Sequence, residues 1–468
     1  IADSLRAHVA ADHYGEVRFR EPETTHARAD EGIREWSHGA EIQPTRFIQR
    51  DFNFEKPRAD MQADAGPARP LKHQHQAAFD IFDYPGEYEE RGEGQRIAAV
   101  RIEEMRHQFD HFNGEGNAAG LATGGLFKLL EHPRDDQNQE YLIVEADYRV
   151  EESPLESELA TTELIGLRFR AIPSAQIFHP PRLTPKPIVQ GPQTAIVVGP
   201  AGDEIHTDKY GRVKVQFHWD RYGKKDQNSS CWIRVSHPWA GQNWGMIAIP
   251  RIGQEVIVEF LEGDPDRPII TGRVYNADQM PPYALPANMT QTGIKTRSSK
   301  GGGVTNFNEI RFEDKKGAEQ VYIHAEKNQD IVVENDETTN VGHDRTETVG
   351  HDETITIHND RTETVDGNET VSIKKNRTHS VDGNETVSVT GNRSESVQGN
   401  ESVDVTGKLD HSITGAASYT SPTSITLTVG GSTVEIKPTG ITLSFGASSV
   451  KIDAMGIAQM GPKISLNG

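Results

Sequence analysis

The sequence predicts a mainly β chain in successive parts: an α+β domain, a small OB-type barrel, and a β-prism built from a repeat. Three observations predict it. Residues 341–412 fall into consecutive blocks of eight. Residues 193–280 carry short apolar runs at the spacing of barrel strands. Proline clusters at 173–192 and 281–286 mark the junctions.

The repeat must be read first, because fixed-period self-similarity decides the architecture. Val341-Gly-His-Asp-Arg-Thr-Glu-Thr is followed by Val349-Gly-His-Asp-Glu-Thr-Ile-Thr, and later by Val365-Asp-Gly-Asn-Glu-Thr-Val-Ser and Val381-Asp-Gly-Asn-Glu-Thr-Val-Ser. Nine octads follow without a break. Val, Ile and Thr favour strands, and the recurring Gly-Asn pair favours a corner. The aliphatic first positions, Val341, Val349, Ile357, Val365, Ile373, Val381, Val389, Val397 and Val405, are the expected core. One extended octad spans only about 26 Å, so it cannot enclose a core alone. Either several octads of one chain form each coil, or several chains share each layer. The Asn-x-Thr/Ser sequons at Asn368, Asn376, Asn384, Asn392 and Asn400 follow from the Asn corner rather than from glycosylation.

The fifth octad position alternates in sign: Arg345, Glu353, Arg361, Glu369, Arg377, Glu385, Arg393, Glu401. Equivalent positions of stacked strands lie about 4.8 Å apart, where like charges repel. A two-octad coil would stack Arg on Arg. A three-octad single-chain coil and a three-chain prism both stack Arg on Glu. Nine octads give one chain only about three coils, the lower limit for a solenoid. Shared among three chains they give about nine layers, roughly 40 Å of rod, which favours the three-chain prism.

The rest of the composition narrows the function. Net charge is −21, from 70 acidic and 49 basic residues, which opposes nucleic acid and anionic membranes as main partners. A single cysteine, Cys231, allows no intramolecular disulfide, which suits folding in a reducing cytoplasm. No run of 18 apolar residues exists to span a membrane as a helix. The start, Ile1-Ala-Asp-Ser, lacks an initiator Met and a signal peptide, as expected of a chain that begins inside a longer product.

Residues 1–185 form the α+β part. Strands are expected at 46–54 and 141–150, a helix at 91–112, and a turn at Asp83-Tyr-Pro-Gly-Glu-Tyr. His73 and His75 lie at strand spacing for a shared metal, but no acidic or Cys partner stands at ligand spacing, so a surface loop is the simpler reading. His8 with His13 is no stronger a pair. His107 and His111 lack the Glu of a His-Glu-x-x-His site. Residues 193–290 form the barrel, with strands at 194–198, 211–219, 231–235, 245–249, 255–260 and 269–274. Phe217 and Trp219 are expected in its core. Barrels of this type often bind single-stranded nucleic acid, but the basic residues here are offset by Glu255, Glu259, Glu262, Asp264 and Asp266. Residues 300–340 are a junction with strands at 308–314 and 320–325; Lys300-Gly-Gly-Gly lacks phosphate-loop spacing. Residues 341–468 are the prism, and period-2 alternation after 412 predicts its continuation with a drier core.

No Ser-His-Asp elbow, paired-carboxylate cleft or metal signature stands out, so no catalytic residue, cofactor or metal site is expected. One reading is mechanical, a non-enzymatic device. The alternatives are a single-chain β-helical polysaccharide hydrolase or lyase, and a passive glycan-binding adhesin.

Several stretches resemble the VgrG family, the valine-glycine repeat spikes of type VI secretion. They are Asp208-Lys-Tyr-Gly-Arg-Val-Lys-Val-Gln-Phe-His-Trp, Cys231-Trp-Ile-Arg-Val-Ser-His-Pro-Trp, Pro250-Arg-Ile-Gly-Gln-Glu-Val-Ile-Val-Glu-Phe, Gly272-Arg-Val-Tyr-Asn, Asn308-Glu-Ile-Arg-Phe-Glu-Asp and Asp83-Tyr-Pro-Gly-Glu-Tyr. The resemblance implies a homotrimer whose first domain is part of a phage-like hub, whose barrel is the neck, and whose repeats form an intertwined parallel β-helix needle. It also implies a hexameric tube protein at the hub end, a PAAR-type tip protein at the C-terminal end, and effector proteins as cargo. Contact with a target membrane would be transient. The protein would wait in the bacterial cytoplasm and then be delivered into a target cell. Set against the family, the expectation is a hub that lacks its start, a spike without a catalytic extension after Gly468, and a tip without a His-x-His iron site.

Overall fold

The computed structural model describes residues 4–21, 30–66, 79–151, 165–463 and 465. It divides into two compact units, Ile1–Thr338 and Thr339–Gly468.

The first unit opens on a seven-stranded sheet. Its order is Val9–Ala10, Gly125–Leu130, Glu140–Val150, Ile165–Pro173, Asp110–Gly116 and Ile33–Ala40, with Glu16–Arg18 also pairing Gly125–Leu130. One face buries Ile33, Phe112, Phe127, Leu129, Tyr141, Leu167 and Phe169. Trp36 stacks on Phe112 at 5.5 Å and meets the edge of Tyr141 at 4.8 Å. Gly114 is required by this packing: a Cβ there would lie 2.3 Å from the Phe169 ring. A smaller sheet of Arg46–Gln49, Ala63–Ala65 and Asp80–Asp83 carries the helix Arg91–Arg106. Ala98 and Ile102 of the helix pack on Phe47.

The helix is shorter than its spacing predicts. It stops at Arg106, because Asp110–Gly116 is drawn into the sheet and paired on both edges. Phe112, which fits the helical period, is instead a core residue of that strand. The predicted strand at 46–54 ends at Gln49, and the chain after it turns toward the barrel.

The barrel has the strand order Lys214–Phe217, Gln193–Val198, Glu255–Phe260, Pro268–Val274 and Arg234–Val235. An antiparallel bridge between Val213 and Ile233 joins the two ends of that order and closes it. Ala195, Val197, Val213, Val215, Ile233, Val256, Val258 and Ile270 fill the interior. Two expectations fail here. Trp219 is 67% exposed rather than core, since the strand ends at Phe217 and the chain turns. Trp219 lies flat on Phe217 at 5.1 Å, and its indole N–H donates to Gln193 Oε1 at 2.9 Å. The strand predicted at 245–249 is not a barrel stave; Trp239–Gly241 and Trp244–Met246 form a separate hairpin.

Three antiparallel strands follow: Gln291–Lys295, Glu309–Glu313 and Gln320–His324. The sequence signals the last two. Gln291–Lys295 is missed because Gly293 and the preceding prolines mask it.

In the second unit the octads form a regular extended chain with a bend at the second and third positions of each block. The bends recur from 326–327 to 422–423, so the period runs beyond 341–412 at both ends. Among the described residues, no strand pairing is formed between His324 and Ile425. A single-chain coil, which would pair each octad with the third one along, is therefore not formed.

After the octads the expected parallel continuation gives way to an antiparallel meander: Ile425–Val429, Ser432–Lys437, Gly440–Phe445, Ser448–Asp453 and Gly456–Met460. Gly430 and Gly446, at φ 53° and 55°, supply the left-handed backbone that tight hairpin turns require.

Candidate assembly surfaces

Four surfaces are built from these elements. The first is the octad chain. The first-position residues from Val341 to Val405 are 43–50% exposed, and the described residues give them no cover beyond their own turn. The fifth position carries the alternating charges. Arg345, Arg361 and Arg393 each bridge the Glu two residues on, at 2.9, 2.8 and 3.1 Å to Glu347, Glu363 and Glu395. Extended backbone places i and i+2 on one face, so the fifth and seventh positions share a face. Glu353, Glu369, Glu385 and Glu401 have Ile355, Val371, Val387 and Val403 as their i+2 neighbours, all 62–67% exposed. A Cβ added at corner glycines such as Gly367 and Gly383 would meet nothing in the same chain.

The second surface is one face of the meander. Register aligns Ile425, Ile436, Ile441, Ile452 and Ile457 in one row, and Leu427, Val434, Leu443 and Val450 in the next. The opposite face carries Thr426, Glu435, Thr442 and Lys451. Leu427 is 64% and Phe445 67% exposed, so the apolar face is uncovered within the chain.

The third is the junction between the first domain and the barrel. The chain after Gln49 delivers Asp51, whose side chain is fully buried, to Arg267 Nη2 at 2.6 Å. Phe52 and Tyr88 amides also donate to Asp51. Lys186 Nζ reaches Asp264 at 2.8 Å and Glu87 at 3.2 Å. Phe54 lies under Arg212 and Arg234 and against Tyr210. Burial pushes the carboxyl of Asp208 up, but hydrogen bonds from Arg212 and from the Arg212 and Tyr210 amides outweigh it and hold the group below its usual range. Asp264 is depressed in the same way, burial being outweighed by Lys186 and the Asp266 amide. The Lys300-Gly run serves as a latch: Lys300 pairs with Asp203 at 3.1 Å, and Ser299 Oγ and Gly301 N–H donate to Glu204 at 2.7 and 2.8 Å. These bonds hold the Glu204 carboxyl low.

The fourth is the exposed hairpin, where Trp239 and Trp244 meet edge to face at 5.0 Å.

His73 and His75 lie outside the described residues. His107 is buried at the helix end with its pKa lowered by burial, and His8 Nδ1 contacts the Gly124 carbonyl. Among the described residues, no group of three His, Cys, Asp or Glu side chains is placed to hold a metal, and no helix is long and apolar enough to cross a membrane. Sequence reasoning missed Asp51 with Arg267, which are 216 positions apart and carry no local signal. It also missed the alternation at the seventh octad position, which was present in the sequence to be counted.

Three family models match. Residues 1–154 match the phage tail baseplate hub, 194–275 the type VI secretion system/phage-baseplate injector OB domain, and 292–405 the bacteriophage T4 gp5 C-terminal trimerisation domain. Three Pseudomonas aeruginosa proteins are similar. Type VI secretion system spike protein VgrG1b is 52% identical over 75% of this chain and 47% of its own length. VgrG1c is 51% identical over 75% and 48%, and VgrG1a 51% identical over 73% and 53%. The chain thus spans about half the length of the curated relatives it matches.

Proposed function

The chain belongs to the VgrG family of type VI secretion spike proteins, and from that premise we propose that it is a non-enzymatic, homotrimeric spike that punctures a target membrane and delivers effectors. The observation that carries this reading is the octad segment. It forms no strand pairing with itself, presents half-covered aliphatics at every eighth residue, and lies for the most part, through Val405, in the match to a trimerisation domain. Strands without partners need other copies to supply their hydrogen bonds. In the proposed division, 1–185 is the hub, 193–290 the neck, 300–340 the junction and 341–424 the needle. The first-position residues from Val341 to Val405 are its core, and Arg345 to Glu401 its outer ladder. The meander is the needle's end: three copies held together at residue 424 bring three apolar faces into one shared core. The tube protein would meet the hub, a PAAR-type protein the needle end, and effectors would ride the spike from the bacterial cytoplasm to the target.

Light scattering after size exclusion tests the assembly. A mass near three times 51.8 kDa, persisting at submicromolar concentration, is expected; a stable monomer overturns the reading. Delivery is tested by following a tagged protein into the medium of cells with and without a working contractile sheath. Release that does not depend on the sheath rejects the role. Hydrolysis of peptidoglycan or a polyuronate by the purified chain would replace it with the enzymatic alternative.

A further inference from the structure

We infer that the structural unit of the octad segment is a pair of octads, sixteen residues, which locks neighbouring copies one octad out of phase with each other. The inference rests on the trimeric reading and adds a rule to it. Two independent alternations run through the segment. The fifth position alternates Arg and Glu from Arg345 through Glu401. The seventh alternates in step: Glu347, Ile355, Glu363, Val371, His379, Val387, Glu395, Val403. Each octad is therefore one of two kinds. The Arg kind carries Arg with Glu or His two residues on, and three of the four make the internal bridge Arg345–Glu347, Arg361–Glu363 or Arg393–Glu395. The Glu kind carries Glu with Val or Ile two residues on.

Stacking at about 4.8 Å gives this pattern one favourable phase. If neighbouring copies stack like on like, Arg meets Arg, Glu meets Glu at the fifth position, and Glu347 meets its own counterpart at the seventh. If they stack one octad apart, every Arg has carboxylates from the strands above and below, and Arg345, Arg361 and Arg393 have one from their own strand as well. Each seventh-position Glu then lies beside Val or Ile (Glu347 beside Ile355 and Thr339), never beside another Glu. An eight-residue repeat with Glu at every seventh position could not avoid that contact. The alternation of two octad kinds removes it, and a slip of one octad restores the repulsion along the whole rod.

The rule makes an unusual prediction for deletions in the full chain. Removing one octad, 373–380, brings Glu369 beside Glu385 in every copy. Removing two, 365–380, brings the Arg361 octad beside the Glu385 octad and preserves the phase. The shorter deletion should be the more damaging. We expect its trimer to melt about 3–6 °C below that of the longer deletion at about 20 mM salt, and the gap to close at about 1 M salt. The reverse order at low salt overturns the inference, as does a gap that salt does not change.

Cross-linking provides a second arm that does not depend on stability. In a Cys231→Ser background, Glu363→Cys with Val371→Cys treated with a two-electron thiol oxidant such as a diazene dicarboxamide should give a covalent trimer, because stacked strands bring Cα atoms within disulfide range. Either substitution alone should leave the copies unlinked. Linked copies from a single substitution, or no linkage in a protein that light scattering shows to be trimeric, overturns the one-octad phase and leaves the trimer standing. A monomeric parent removes both.

Discussion

At the residue scale, the best-defined interaction in the first unit is Asp51 with Arg267. A fully buried carboxylate meets a guanidinium that is about a quarter exposed. Burial lowers the Arg267 pKa, yet the Asp51 hydrogen bond together with the charges of Asp51, Asp264 and Glu87 outweighs it and raises the value. Breaking a buried pair from one side strands the other charge. Arg267→Ala is expected to destabilise the first unit by about 2–3 kcal/mol, toward the low end for such pairs because two amides still serve Asp51. Urea unfolding followed by tryptophan fluorescence would measure it. Asp208 gives a pH dependence of known sign. Its folded pKa lies below the ordinary value, so its contribution is complete above the unfolded value of about 3.9 and fades as pH falls through the folded one. Asp208→Asn should cost about 1–2 kcal/mol at pH 7, and its difference from the parent should shrink in melts below pH 3.9.

At the element scale, the octad strand and the meander present different problems. The octad face is charged, and its outward ion pairs are individually worth about 0–1 kcal/mol. They set phase more than stability. Glu369→Arg would place three successive Arg residues in one proposed stack, and should lower the melting temperature at low salt more than at high salt. An equal shift at both salts contradicts the stacking. The meander face is apolar, and burial there is worth about 25 cal/mol per Å². In the chain alone Leu443 is 44% exposed, so an aspartate would be nearly neutral. In a shared core it would cost about 3 kcal/mol or more per copy. Leu443→Asp should therefore lower the stability of the assembled protein sharply. Thr442→Asp, on the other face, should stay within about 0.5 kcal/mol. Equal effects of the two would mean that the apolar face is not covered by other copies.

At the scale of the whole molecule, two units of opposite character share one chain. The first completes its own cores: a closed barrel, a seven-stranded sheet and a helix-backed sheet, each with buried side chains. The second completes none; its aliphatic residues from Val341 to Met460 are all at least partly exposed. A chain of −21 net charge is kept apart by its own repulsion unless such surfaces drive it together. Dilution separates the two behaviours. Far-ultraviolet circular dichroism of the first unit should persist at any concentration, whereas the β signal of 339–468 should fall where light scattering shows loss of the trimer.

What the sequence determined by itself is whatever rests on local or periodic order. The octad frame, its corners and its charge alternation are legible because every block repeats the same local choice. The strands at 255–260 and 320–324 are legible because short runs of β-branched and aromatic residues, Val256-Ile-Val and Val321-Tyr-Ile, stand there between polar neighbours. The tertiary structure decided what depends on distant partners. The helix stops at Arg106 because strands from 33–40 and 165–173 compete for Phe112. Trp219 leaves the core because a turn follows Phe217, and Asp51 finds Arg267 across 216 residues. Alternation after 424 was visible, but its direction was not. A period of two is the same in parallel and antiparallel sheets, and only the hairpin glycines, folded back through φ near +55°, make the strands antiparallel.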